Sequence, residues 1–239
     1  MRYLVTFCVL AAIKSLSHLF FRAEVEWVGE PPARPFRDLR RLRVVAILNH
    51  TSLYEPIFTI IVPYRFLWRV ARHGVVAIAE KTLQRPLVGR FFSFIAGHVV
   101  SVTRERDHTW RAVLSRIGPE SMVLILPEGR MMRANGLDAH GEAMTVRGGI
   151  ADILEAAGEG EMLVAYSGGL HHVQAPGELL PRPFRRIRMR FELLDIRAYN
   201  EARRRDEELI GDSFKRRVKE DLEARRDRHC PRLPGPARS

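Results

Sequence analysis

Cysteine is nearly missing from this chain. Of 239 residues, only Cys8 and Cys230 carry thiols, one near each end. Two thiols so placed make neither a metal-binding spacing nor a disulfide framework, and they fit a reducing compartment. Glycine-rich phosphate cradles are missing too. No Gly-x-Gly-x-x-Gly and no P-loop occurs, which removes the usual signatures of dinucleotide and nucleoside-triphosphate binding. Without a Gly-x-Ser-x-Gly elbow, nothing supports a serine hydrolase. The adjacent His171 and His172 have no third ligand at metal spacing and read as a loop pair, so no metal is expected. No internal repeat is present.

What is there is an apolar, basic chain. Hydrophobic residues make up 46% of it, enough for one α/β domain with a real core. The net charge is +11, with an isoelectric point near 10.5. That balance suggests an anionic partner: a phosphate-bearing substrate, an acidic lipid surface or a nucleic acid. Aromatic residues do not interleave with the basic runs, which argues against nucleic acid. The one long apolar run, Tyr3 to Phe21, points to lipid instead. As a helix it is about 28 Å long, barely a bilayer core. Lys14 near its middle argues against a plain span, since a central lysine costs roughly 3 kcal/mol on insertion scales. There is no small-residue cleavage pattern. The run reads as a membrane anchor that lies in the interface or inserts partway, with a buried core helix as the alternative. Arg22, Arg34, Arg37, Arg40, Arg41 and Arg43 follow it, and the positive-inside bias puts the body of the protein on the cytoplasmic face, in a bacterium the inner membrane.

The pattern divides into an anchor helix over 1–22, a basic Pro-rich connector over 23–43, a domain over 44–200, and a charged C-terminal helix and tail over 201–239. Short apolar runs at Val44–Leu48, Val75–Ala79, His98–Val102, Met122–Leu126 and Met162–Tyr166 read as buried strands. Helical patterns fall between them, at Ile57–Val70 with a break at Pro63, Thr82–Ile95, Asp107–Ile117 and Gly148–Ala157. Arg186 to Leu193 alternates basic and apolar residues, as a half-buried strand does. Strands alternating with helices give an α/β fold, a single domain with a sheet flanked by helices.

The chemistry sits just past the first strand, in Asn49-His50-Thr51-Ser52-Leu53-Tyr54-Glu55-Pro56. A polar cluster after a buried strand is where α/β proteins place reacting groups. A histidine held by a carboxylate can take a proton from a hydroxyl, since its ordinary pKa lies near 6.5. His50 and Glu55 are thus a candidate general-base dyad. The same residues also fit a structural pattern: Ser52 and Glu55 have the spacing of a helix capping box.

Three further segments follow in order: Gly97-His98-Val99-Val100-Ser101-Val102-Thr103-Arg104, Leu126-Pro127-Glu128-Gly129-Arg130, and Leu163-Val164-Ala165-Tyr166. Together the four resemble the glycerolipid acyltransferase family, the 1-acylglycerol-3-phosphate (lysophospholipid) acyltransferases. That family carries NHxSxxD, a Gly-to-Arg strand, FPEGTRS and a short VPV-type strand. The stretch from Glu80 to Gly89 also resembles the family between its first two motifs. The likeness covers roughly residues 44 to 167. It implies a glycerolipid-acyltransferase-like mixed sheet, with His50 as general base and Glu55 orienting it. Arg104, Glu128, Gly129, Arg130 and Arg133 become substrate-binding candidates. Read alone, Arg104 fits an anionic head group or a solvated surface equally well.

The implied reaction moves a fatty acyl group from acyl-CoA or acyl carrier protein to the hydroxyl of a lysophospholipid, lysophosphatidic acid first, in phospholipid biosynthesis. No cofactor is implied beyond the thioester co-substrate; the partners are the acyl donor, a lysolipid acceptor and an anionic membrane surface. The departures are specific. Glu55 stands for the family's Asp, although lipid A late acyltransferases look similar in using His-x4-Glu. Arg130 stands where Thr is usual, and Met131 where the phosphate-binding Arg is usual. Ala165-Tyr166 stands where Pro is common. Methionine cannot mimic bidentate phosphate recognition. An acceptor without phosphate, such as an amino-acid lipid, is therefore the second expectation, and an inactive basic membrane-binding protein the third.

Overall fold

In a computed structural model the described residues are 1–84, 89–91, 94–102, 108–174, 178, 180–204 and 213–231, less the side chains of 81, 82 and 108. Arg104 lies outside them, as do Phe92 and Asp107. The described elements run α1 (Arg2–Phe20), β1 (Arg22–Trp27), β2 (Leu42–Leu48), a 3-10 turn (Glu55–Ile60), α2 (Tyr64–His73), β3 (Gly74–Ala79), α3 (Glu80–Leu83), β4 (His98–Val102), α4 (His108–Leu114), β5 (Met122–Ile125), α5 (Gly149–Ala157), β6 (Glu161–Ser167), β7 (Arg186–Asp195), α6 (Ile196–Arg204) and α7 (Ser213–His229).

The strands form one mixed sheet in the order β1-β7-β6-β2-β5-β3-β4. From β6 to β4 all pairings are parallel; β7 turns antiparallel to β6, and β1 runs parallel to β7. The central strands are apolar throughout because both faces are covered, as parallel sheets require. Alternation along β2 sorts its residues between two cores. Val45 packs with α1, the 3-10 turn and α2, through Leu10, Ile57, Phe66 and Leu67. Val44, Ala46 and Leu48 pack with α5, α6 and α7, through Ile150, Leu154, Ile196, Val218 and Leu222.

Two differences from the sequence reading have plain causes. The connector expected over 23–43 begins with a strand: residues Arg22 to Trp27 add β1 to the sheet edge. Its glutamates meet the arginines that make the outer face of β7 look basic: Glu24 pairs with Arg186 and Arg188, and Glu26 with Arg190. Two of that face's three positive charges are offset within the sheet, while Ile187, Met189 and Phe191 are buried in the core. The C-terminal segment is two helices, α6 and α7, rather than one.

The first helix is turned inside out. Its buried residues are Thr6, Leu10, Lys14 and Ser17, mostly polar, whereas Leu4, Val5, Leu16 and Leu19 are exposed. Lys14 Nζ donates to the carbonyl oxygens of Ile60 at 2.7 Å and Thr59 at 3.2 Å. Those carbonyls end the 3-10 turn and have no partner in it. The lysine's charge is thus spent on the domain. By length and composition α1 is apolar enough to cross a membrane.

Candidate active site

β2 ends at Leu48, and the chain turns on Asn49, whose φ of +67° lies in the left-handed region. Asparagine tolerates that conformation better than most residues. Its Nδ2 donates to the Ser167 carbonyl at the end of β6, 2.7 Å away. The turn aims two successive amides at one carboxylate. Asn49 N–H donates to Glu128 Oε1 at 3.2 Å, and His50 N–H to Oε2 at 2.8 Å. Glu128 reaches them because β5 lies beside β2 in register, Val44 opposite Val123 and Ala46 opposite Ile125. The chain leaves β5 through a turn closed by Gly129 N–H on the Leu126 carbonyl. Gly129 has φ +62°, a conformation glycine adopts without cost.

Glu128 is only 1% exposed. A buried carboxylate needs a counter-charge. Arg226 of α7 supplies it, with Nη1 3.2 Å from Glu128 Oε1; the same nitrogen donates to the Met144 carbonyl at 2.9 Å.

Glu55 opens the 3-10 turn and folds back over the loop. Its Oε1 lies 2.8 Å from His50 Nδ1 and accepts the Thr51 N–H at 3.1 Å. The contact with the ring is close but oblique to the N–H axis, and Oε2 is buried without a hydrogen-bond partner. The capping box does not form. The 3-10 turn has no side-chain cap; Ser52 Oγ instead accepts the Tyr54 N–H and donates to Gln174 Oε1 at 2.7 Å. Thr51 Oγ1 accepts the Leu170 N–H. The β6–β7 connection thereby braces the loop from the other side.

Burial alone pulls the pKa of His50 down, since it penalises the charged ring. The Glu55 carboxylate, with help from Glu128, outweighs it and raises the pKa above the ordinary histidine value. With Nδ1 on Glu55, Nε2 is the nitrogen left to receive a proton. A hydroxyl held against it would lose its proton to a base whose strength the carboxylate has increased.

The remaining sequence candidates separate. Glu128 and Gly129 are in the cluster. Arg130 is turned away into an ion pair with Asp138. Burial would raise that carboxyl's pKa, but the amides of Glu142 and His140 and the Arg130 guanidinium bring it down to about 2. Arg133 is exposed, one residue past Met132, whose N–H donates to the His50 carbonyl at 2.7 Å. Of the two arginines, Arg133 is the one with an exposed side chain. Leu163 to Tyr166 lie within β6, buried, beside β2. Arg226 and the partners that brace Thr51 and Ser52, Leu170 and Gln174, were missed, because no local spacing connects them to the loop. Among the described residues, no three of His, Cys, Asp or Glu gather as metal ligands. A cavity of about 420 Å³ lies at the far end of the sheet, lined by Trp27, Phe36, Leu42, Leu163 and Leu193, away from His50.

A family model described as Acyltransferase matches residues 34–167, more than half of the chain. Among solved structures, the chain is similar to the 1-acyl-sn-glycerophosphate (LPA) acyltransferase PlsC from Thermotoga maritima. The two share 15% identity with a TM-score of 0.52 over 93% of this chain and 81% of that one, a likeness of fold. Among curated proteins there is no match.

Proposed function

Because the chain belongs to the acyltransferase family, an enzyme with an acyl donor and a lipid acceptor, we propose that it transfers a fatty acyl group from a thioester, acyl-CoA or acyl carrier protein, to the free hydroxyl of a lysophospholipid. The observation that carries this reading is the buried His50–Glu55 contact at the carboxyl end of β2.

In this reading the acceptor hydroxyl gives its proton to His50 Nε2 as its oxygen attacks the thioester carbonyl carbon. The tetrahedral adduct collapses, the C–S bond breaks, and the proton passes from the imidazolium to the leaving sulfur. An ester and a free thiol result, with His50 restored. Glu55 fixes the ring and offsets the imidazolium charge. Holding two substrates side by side contributes several kcal/mol more. No metal or other cofactor takes part.

Among the described candidates Arg133 is the group available for an acceptor phosphate, since Met131 cannot bind one and Arg130 is held by Asp138. The supporting surface is a membrane. The outward apolar side of α1, Leu16 and Leu19 included, would enter the cytoplasmic leaflet, with exposed Arg34, Arg37 and Arg40 over anionic head groups.

Thioester consumption by the purified protein, with a panel of lysolipids and His50→Ala as control, tests this. Product with lysophosphatidic acid, lost in the variant, is the expected result. Product only with an acceptor lacking phosphate would move the substrate to an amino-acid lipid or its like, a reading that Met131 favours. No turnover from a folded, membrane-bound protein would leave a non-catalytic membrane-binding role.

A further inference from the structure

The acyl-transfer motifs end before residue 168, yet one side chain far beyond them reaches into the site. We infer that Arg226, near the end of α7, is a positioning residue for His50, acting through Glu128. The inference rests on the acyltransferase reading only for its activity readout.

The chain of contacts is short. Arg226 Nη1 meets Glu128 Oε1 at 3.2 Å and is anchored by the Met144 carbonyl. Glu128 holds the amides of Asn49 and His50, one with each oxygen. Those amides belong to the left-handed turn that sets the His50 ring against Glu55. Glu128 is almost wholly buried, so its charge cannot be met by water. Without Arg226 it must either stay as an isolated buried charge or take up a proton. In a protonated carboxyl the hydroxyl oxygen is a much weaker acceptor, so one of the two amides is held less tightly. The first outcome destabilises the whole cluster; the second loosens the turn.

The helix is itself well placed to hold the arginine. Phe214, Val218 and Leu222 recur every four residues and bury α7 against α5 and the sheet. Arg226 is the next position in that stripe, where the helix reaches the carboxyl edge of the sheet. At the same position a leucine or valine would continue the core; an arginine there is aimed at a charge.

The test compares the full-length wild-type protein with Arg226→Gln, Arg226→Lys, Glu128→Gln and the Arg226→Gln/Glu128→Gln double variant. Amide hydrogen exchange at Asn49 and His50 is read first, because it needs no substrate. We expect exchange there to quicken about tenfold or more in Arg226→Gln, with Arg226→Lys in between. In the acyl-transfer assay, kcat should fall about tenfold with KM little changed, and the double variant should be no worse than Glu128→Gln alone. Unchanged exchange at the two amides in a folded variant would overturn the inference. So would losses from the two single variants that multiply in the double. Should Arg226→Gln fail to fold, Arg226→Lys, which keeps the charge but not the fork, gives the same exchange reading. A wild-type protein with no turnover would overturn the proposed function, and the exchange comparison would still decide the role of Arg226.

Discussion

Glu55 and Glu128 are both buried carboxylates on the turn after β2, yet one meets the imidazole of His50 and the other its backbone amide. Glu55 is local, five residues along, and it is free to leave one oxygen unpartnered. Glu128 comes from the turn that follows a neighbouring strand, and both of its oxygens are engaged. A carboxylate on the ring changes how strongly the ring holds a proton. A carboxylate on the amides changes where the ring is. Glu55 acts mainly on the tuning of the ring and Glu128 mainly on its placement, so the two carboxylates disturb them in different proportion.

The largest effect comes from removing the group on which both converge. His50→Ala should lower thioester turnover by about 10²- to 10⁴-fold. Glu128 still holds the backbone amide, so thermal melting should move little; a collapsed melt would mean that the ring is structural. Next is Glu55→Gln, with turnover down roughly a hundredfold. Its signature is in the pH profile. The raised pKa of His50 keeps the ring protonated to higher pH, so the active base appears only as pH rises through that value. Without the carboxylate, burial dominates and the acidic limb moves to lower pH. An unmoved limb would reduce Glu55 to a brace for the Thr51 amide. Stability has the same sign: the raised pKa stabilises the fold below the ordinary histidine value, and that contribution is lost as pH rises through the folded one.

Glu128→Gln should show the reverse balance. Its amide nitrogen cannot accept from a backbone N–H, so a buried donor loses its partner, at about 1–3 kcal/mol of stability by chemical denaturation. Turnover should fall roughly tenfold, with a smaller displacement of the acidic limb than in Glu55→Gln. Equal displacement in the two variants would erase the distinction. The smallest effect is outside both carboxylates: Arg133→Ala should raise the apparent KM for a phosphate-bearing acceptor about tenfold, worth about 1.4 kcal/mol, and leave kcat in place.

The dyad was legible because its two members are neighbours in sequence and follow a strand whose apolar run is unmistakable. Glu128 was legible as a candidate only through the order of motifs. Its attachment to Asn49 and His50 was not, because it depends on β5 lying beside β2. Arg226 was one of many arginines in a charged helix, and nothing in its spacing singles it out. The edge strand β1 was hidden for a related reason: its Glu24 and Glu26 make sense only opposite the arginines of β7. Arg130 and Arg133 looked equivalent from the sequence; only the fold of the loop commits one of them to Asp138.

Lys14 ties the outer apolar helix to the segment that begins with Glu55. The ammonium grips the last carbonyls of that short turn, so one end of the segment is held by α1 while the other carries the carboxylate. A displacement of the helix would pull on the segment that carries the side chain beside His50. Trimming residues 1–21 would remove that grip. It would uncap the turn, bare Ile57 and Ile60, and slacken the hold on the imidazole. A truncated form that turns over nothing would therefore have lost the support behind Glu55, whatever α1 does at a membrane.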